Sequence, residues 1–379
     1  MSEPADKHQK NAGGGVPYFA YRMRIEKYKE RYTQAYALGL DTISDWLSAG
    51  PTNDTYTPSR KALADQCIAH SGIPNWHFTD CGSDAIQAAL AVTTQPGDKV
   101  IIPAWGFIAT PENIAWIGRE IVFCDNGPDA MMCPVSLSEC ISEHPDASVV
   151  MPVHLLGRIQ DVESLCSHIP DQMTVIEDAA NAFYMADPGN KPGYSDIVCY
   201  SFDIAKHPAS TGTGGAVATN NKRLLDRMKE VTQQGFNKNR TGFVAPATKS
   251  SMDDTTARVI MEDMLIMEEN QTRQTRRANN TLFSESIKRE QLAGENTVCT
   301  GFGFFPRKLS AKEAAKEFGK QGIGVSVYPC FPDMSAFENC ASVDYTYARR
   351  LSNELVIIPL HEYLTQENKE TIIEVANRT

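Results

Sequence analysis

From about residue 76 to residue 234 the chain alternates short apolar runs with segments of helical period, and no other feature narrows its fold so much. The apolar runs fall at 99–103, 120–124, 148–153, 173–178, 196–202 and 215–219, and the helical segments at 84–92, 108–117, 161–168 and 222–234. Short runs that stay apolar, without a polar residue at every second position, suit strands covered on both faces. Helices of that length between them imply crossover connections. The expected fold class is therefore α/β, with a mostly parallel central sheet flanked by helices.

On either side of this block the pattern changes. Residues 1–16 are polar, Gly-rich and without period, and are expected to be disordered. A helix is expected over 21–47, wrapping the outside of the main body and ending at the breaker Ala49-Gly50-Pro51. Residues 236–253 are irregular, and 254–288 reads as one long charged helix. Then come a strand at 296–305, a helix opened by the capping-box pattern Ser310-Ala311-Lys312-Glu313, a strand at 324–328, a helix at 345–354, a strand at 356–359 and a final helix. This predicts a large α/β domain over 17–245 and a smaller α+β domain over 246–379 that includes the long connecting helix.

A formal net charge of −11 over 379 residues argues against a dedicated nucleic-acid binder, which needs a basic stripe to displace counterions from phosphates. No apolar stretch approaches the roughly 20 residues that span a bilayer, and the first fifteen residues lack the apolar core of a signal peptide. The ten cysteines form no CxxC pair, and several sit inside apolar runs as small hydrophobes. They read as the reduced thiols of a cytoplasmic protein. The eight histidines show no HExxH spacing, and no metal site is expected.

Two of the apolar runs each deliver one charge. Asp178 closes Thr174-Val175-Ile176-Glu177-Asp178, and Lys206 follows Asp196-Ile197-Val198-Cys199-Tyr200-Ser201-Phe202 after a short loop. In an open parallel sheet, ligands bind outside the carboxyl ends of the strands, so an acid and an amine there face one small molecule. Pyridoxal 5′-phosphate suits the pair, because its aldehyde needs a lysine and its ring nitrogen a carboxylate. Glu177 is a candidate as well; alternation along a strand sends adjacent side chains to opposite faces, so one of the two acids fills the role.

Cys81-Gly82-Ser83-Asp84 opens an amphipathic helix and reads either as a plain N-cap or as a phosphate seat made of free backbone N–H groups. Phe107, closing Pro103-Ala104-Trp105-Gly106-Phe107, puts an aromatic ring at the same edge, for core packing or for stacking on a flat heterocycle. Ser201 offers a hydroxyl that could complete the phosphate seat. The small-residue turn Ser210-Thr211-Gly212-Thr213-Gly214-Gly215 lets backbones pack closely around a bound group. Its glycines precede a strand rather than a helix, so they are not a dinucleotide fingerprint, and the same holds for Gly301-Phe302-Gly303.

Taken in order, these pieces resemble the DegT/DnrJ/EryC1/StrS family of sugar aminotransferases, a branch of the fold type I pyridoxal-phosphate enzymes. The likeness runs from about residue 50 to the C-terminus. It is carried by Gly82-Ser83-Asp84-Ala85-Ile86, Pro96-Gly97-Asp98, Phe107-Ile108-Ala109-Thr110, Pro152-Val153-His154-Leu155-Leu156-Gly157, Glu177-Asp178-Ala179-Ala180-Asn181-Ala182, Ser201-Phe202 with Lys206, and Gly214-Gly215. The resemblance implies Lys206 as the Schiff-base lysine, Asp178 as partner of the pyridine nitrogen and Phe107 stacked on the ring. It further implies Ser83, Asp84 and Ser201 at the phosphate, Gly82 shaping that turn, and Asn181 beside the ring oxygen. A homodimer with shared active sites is also implied, in which Lys249-Ser250-Ser251-Met252 stands where the family often has Asn-Tyr-Arg-Met and Lys249 meets the phosphate of the neighbouring subunit.

This segment lacks the family's arginine, and Val327-Tyr328-Pro329-Cys330-Phe331 replaces its His-Tyr-Pro stretch, so the expectation is retained cofactor chemistry with altered substrate recognition. The implied reaction moves an amino group from an amino acid, L-glutamate or L-glutamine, to a keto-sugar. Lys238, Arg240 and Lys249 in the irregular segment read either as solvated loop charges or as cations for the diphosphate of a nucleotide-linked acceptor. A free keto-sugar, a keto-octulosonate or a keto-cyclitol stays open as acceptor. So does a sugar dehydratase of the same family, although those members generally carry histidine where this chain has Lys206. A non-catalytic binding protein on the same fold is the third reading.

Overall fold

The computed structural model describes residues 15–49, 57–185, 192–237, 241–245, 247–292, 298–337 and 344–379. All but two residues of the expected disordered N-terminus, together with Lys238 and Arg240, lie outside the described residues.

Helices α1 (Tyr21–Ser48) and α2 (Pro58–Ser71) precede β1 (Asn75–Thr79) and α3 (Gly82–Thr93). Strands and helices then follow as β2 (Lys99–Pro103), α4 (Ala109–Trp116), β3 (Glu120–Cys124), α5 (Pro134–Glu143), β4 (Val149–Val150), α6 (Val162–Cys166), β5 (Thr174–Asp178), β6 (Ile197–Ser201), β7 (Gly215–Thr219) and α7 (Lys222–Thr232). The seven strands form one sheet in the order β1-β7-β6-β5-β4-β2-β3. It is parallel from β6 through β3, while β7 runs antiparallel to both of its neighbours. The mostly parallel α/β sheet read from the sequence is the observed architecture. Its physical basis is also the one expected: every residue of β6 and β7 is buried, and β2, β3 and β5 bury all but their first residue.

The sequence pattern left β1, α2 and α5 unassigned. In β1 the alternation is half polar: Trp76 and Phe78 enter the core, while the buried His77 ring meets the Thr232 hydroxyl at 2.6 Å. Strand β4 is shorter than the run 148–153 suggested, and beyond it only the single bridge Val153↔Asp178 continues past Pro152, which has no N–H to give.

Downstream, the expected single helix is two, α8 (Asp254–Glu269) and α9 (Thr272–Ser286), because Gln271 adopts a left-handed φ of 50° that a continuing helix cannot contain. A second sheet, ordered β10-β9-β8, is built from β8 (Glu290–Gln291), β9 (Gly301–Phe305) and the later β10 (Val356–Pro359), all antiparallel. Helices α10 (Ala311–Lys320) and α12 (Gln366–Arg378) bury Ala314, Phe318, Ile372 and Val375 with Phe302, Phe304 and Ile358. The capping box at Ser310 and Glu313 is present. The strand expected at 324–328 reduces to an isolated bridge, Ser326↔Ile357. Helix α11 (Thr346–Glu354) joins the other core instead, where Tyr345, Ala348 and Leu351 cluster with Phe123 of the large sheet.

Candidate active site

Strands β5 and β6 are adjacent and parallel, so the residues that follow them emerge side by side at the same edge. Lys206 lies on the loop after β6, and its Nζ donates a 3.0 Å hydrogen bond to Asn181 Oδ1, on the loop after β5. The same Nζ lies 5.7 Å from the centroid of the Phe107 ring. Phe107 itself remains 49% exposed, so one face of the ring is available to a flat ligand. Tyr328 packs edge-on against it, with centroids 6.2 Å apart, and accepts through its backbone carbonyl from the Trp105 indole N–H at 2.9 Å. Burial pulls the Lys206 pKa below the ordinary lysine value, with the negative charges of Asp178 and then Asp203 opposing it.

The two adjacent acids separate as alternation requires. Asp178 turns toward the site, where Oδ2 accepts from the Thr110 hydroxyl at 2.7 Å and Oδ1 from the Ala180 N–H at 3.1 Å. Glu177 turns away into the core. It accepts from His154 Nε2 at 2.8 Å and from the N–H groups of Gly193 and Ser195, while His154 Nδ1 accepts from the Gln160 N–H, which leaves the ring proton on Nε2. Burial alone would raise the Glu177 pKa; His154 and the Ser195 hydrogen bonds together overcome it and hold the carboxyl below the usual range. Of the two candidates, only Asp178 faces Lys206.

The start of α3 meets the ends of β6 and β7 at very short range. A Cβ added to Gly82 would stand 2.8 Å from Ser201 Cβ, and one added to Gly215 would stand 2.1 Å from the Cys81 carbonyl oxygen. Gly82, Ser83 and Asp84 thus open a twelve-residue helix directly against the Ser201 side chain. The Asp84 carboxylate is engaged, accepting from the Ser250 hydroxyl at 2.6 Å, and that hydroxyl in turn accepts from the Asp80 N–H at 2.9 Å. Lys249, next to Ser250, is exposed, and its backbone bridges Gln233. Among the described residues, no group of three His, Cys, Asp or Glu side chains is arranged to hold a metal ion.

The model of the DegT/DnrJ/EryC1/StrS aminotransferase family matches residues 42–376. The chain belongs to this family. Among its relatives, a 3-oxo-glucose-6-phosphate:glutamate aminotransferase of Bacillus subtilis is 26% identical over 318 residues, covering 78% of this chain and 70% of the relative. A UDP-N-acetyl-3-dehydro-α-D-glucosamine 3-aminotransferase of Acidithiobacillus ferrooxidans is 26% identical over 335 residues, covering 84% of this chain and 88% of the relative. Among solved structures, NtdA from Bacillus subtilis with bound cofactor PMP superposes with a TM-score of 0.81 at 22% identity, over 98% of this chain and 86% of that one.

In this DegT/DnrJ/EryC1/StrS protein, sequence reasoning missed the groups that hold the site in place. Thr110 sits three residues after Phe107, in the first turn of α4, and its hydroxyl fixes the Asp178 carboxylate. Arg24 of α1 reaches into the lysine loop and donates to the carbonyl of Ile204 at 3.1 Å and that of Lys206 at 3.5 Å. Its charge is balanced by buried Asp263, 3.3 Å away, which also accepts from the Ala209 N–H at 2.7 Å. Arg276 of α9 donates to His207 Nε2 at 2.7 Å and pairs with Glu362 at 3.0 Å. Burial, reinforced by Arg276 and Arg24, drives the His207 pKa far below its ordinary value, so the residue beside Lys206 is a neutral ring. No local pattern marks these arginines, because their partners are distant in sequence.

Proposed function

We infer that the protein is a pyridoxal 5′-phosphate-dependent aminotransferase that passes an amino group from L-glutamate to a keto-sugar, in amino-sugar biosynthesis, and that the acceptor is nucleotide-linked. The observation that carries this reading is the Lys206 amine, held by Asn181 and facing Phe107, on the loop beside a fixed Asp178 carboxylate. Family membership supports the reaction class, and the relatives named above supply the donor and two kinds of acceptor, a sugar phosphate and a UDP-sugar.

The residues fit the cofactor. Phe107 offers an open aromatic face, and Asp178, anchored by Thr110 and Ala180, keeps a carboxylate oriented to hold a proton on the ring nitrogen. The free N–H groups of Gly82, Ser83 and Asp84 and the hydroxyl of Ser201 would receive the phosphate. Asp84 contributes its backbone there, since its carboxylate is bound to Ser250 and would repel an anion. When bound, pyridoxal phosphate supplies the electron sink that stabilises negative charge at the donor's α-carbon. Lys206, with a pKa lowered by burial, is suited to take the proton from that α-carbon and return one, acting as base and then acid. Tyr328, held by the buried Trp105 indole and packed edge-on against Phe107, walls the site.

We place the protein in the cytoplasm as a homodimer. Free thiols at all nine described cysteines support the first, and exposed apolar side chains at Trp116, Phe243 and Val244 support the second. No described helix is long and apolar enough to cross a membrane.

Borohydride reduction of cofactor-saturated protein, followed by peptide mapping, should place the label on Lys206 and nowhere in Lys206→Ala. A label at another lysine would sink the mechanism. Pairing L-glutamate and L-glutamine with nucleotide-linked and nucleotide-free keto-sugars then tests the substrate, and turnover confined to nucleotide-free acceptors removes that part of the reading.

A further inference from the structure

Arginine is buried at three described positions, and only two of them are neutralised. Arg24 is paired with Asp263 and Arg276 with Glu362, whereas the side chain of Arg158, a residue only 8% exposed, makes no hydrogen bond or ion pair among the described residues. A guanidinium carries five donors and keeps its proton at any working pH, so one that is largely buried and has no acceptor within the protein is suited to take an anion from outside it. Its electrostatic neighbours are Cys299 and Asp129, and Asp129 forms no ion pair with it among the described residues. The Asp129 carboxylate instead accepts from the Met131 N–H at 3.1 Å.

The backbone that presents Arg158 runs through the site. Val153 bridges Asp178, and the His154 N–H donates to the Asp178 carbonyl at 2.9 Å. The Leu156 carbonyl accepts from the Thr300 N–H at 2.8 Å. Gly157 lies against Asn181, whose carbonyl oxygen would be 3.2 Å from an added Cβ, and the Asn181 side chain holds the Lys206 amine. The turn is also strained: Leu156, buried and branched, has a φ of 60°, and Gly157 follows at 78°. Such conformations persist where the surrounding structure enforces them, and they concentrate at ligand sites.

We propose that Arg158 is the receptor for an anionic group of the reacting substrates, either a carboxylate of the amino-acid donor or a phosphate of the acceptor, and so selects the anion admitted beside Lys206. The proposal rests on the aminotransferase reading given above. A planar fork of donors matches both oxyanions in the same way, so the shared chemistry defines the site and the source is left to experiment.

The test uses cofactor-loaded protein, with loading verified by the Lys206 label, so that inorganic phosphate does not compete for an empty cofactor phosphate seat. Calorimetry with glutarate and with inorganic phosphate should show binding of at least one to the wild type. Arg158→Met should weaken that binding by about thirtyfold or more, with Arg158→Lys intermediate. Loss confined to glutarate assigns the donor carboxylate, and loss confined to phosphate assigns the acceptor. In thermal unfolding without anion, Arg158→Met should melt no lower than the wild type, because the substitution removes an unpaired buried charge, and it should gain less from added anion. Unchanged anion binding in Arg158→Met overturns the proposal. So does a lower melting point without anion, or a change of oligomeric state in light scattering, which would make Arg158 a structural or intersubunit contact. Protein that never takes the label at Lys206 fails the aminotransferase reading first, and that outcome is distinct from loaded protein that is indifferent to Arg158.

Discussion

At the scale of single residues, the site depends on one amine whose charge is contested. Burial lowers the Lys206 pKa, and Asp178 is the strongest group pulling it back up. Replacing Asp178 by Asn removes that pull, so the pKa should fall further and the amine should be free at lower pH. Acetylation of Lys206 in cofactor-free protein, followed by mass spectrometry across pH, should give a wild-type midpoint below the roughly 10.4 of an ordinary lysine and a lower one still for Asp178→Asn. A higher midpoint in the variant would contradict the electrostatic account. Glu177 behaves differently because its partner is His154 in the core. Glu177→Ala should cost about 1–3 kcal/mol in urea unfolding at pH 7, since it strands the buried imidazole N–H. The folded pKa of Glu177 is depressed, so its contribution is complete above its unfolded value of about 4.3 and is lost as pH falls through the folded one; the gap between wild type and variant should therefore close in strong acid. Both acids were visible in the sequence, as was the rule that they face opposite ways. Which one faces the ligand depended on where His154 and Thr110 lie.

At the scale of elements, the legible parts were those whose burial is uniform. Strands β2, β3, β5, β6 and β7 coincide with apolar runs because both faces are covered. Strand β1 escaped notice because its polar residues are satisfied by tertiary partners such as Thr232. Helix α1 was expected to wrap the outside, and most of it is exposed, but Arg24 and Tyr32 tie it through Asp263 to the lysine loop. The junction of α3 with β6 and β7 depends on missing side chains. Gly215→Ala would drive a methyl group into the Cys81 carbonyl, so the first turn of α3 must shift. The expected result is a loss of about 1–3 kcal/mol in thermal unfolding, together with weaker binding of pyridoxal phosphate measured by absorbance titration. A variant with wild-type stability and unaltered cofactor affinity would show that this close approach does not shape the phosphate seat.

At the scale of the whole molecule, the prediction tests the proposed homodimer with shared sites. Ser250 is anchored to Asp80 and Asp84, while Lys249 beside it is exposed and free to reach a neighbour. Lys206→Ala and Lys249→Ala should each be inactive, yet mixed heterodimers should regain activity, because one of their two sites then combines an intact Lys206 with an intact Lys249 from the other chain. Verified heterodimers without activity would mean that Lys249 serves its own subunit. Taken by itself, the sequence determined the α/β class, five of the buried strands, and the placement of an acid and an amine at the carboxyl ends of two of them. Those features follow from period and from the direction of the chain, which are local. Only the tertiary structure decided which acid faces the amine, which buried arginines are neutralised, and that the N-terminal helix braces the lysine loop. The reason is that each of these is a pairing between charges far apart along the chain, and burial makes such pairings strong only after the fold has removed the water between them.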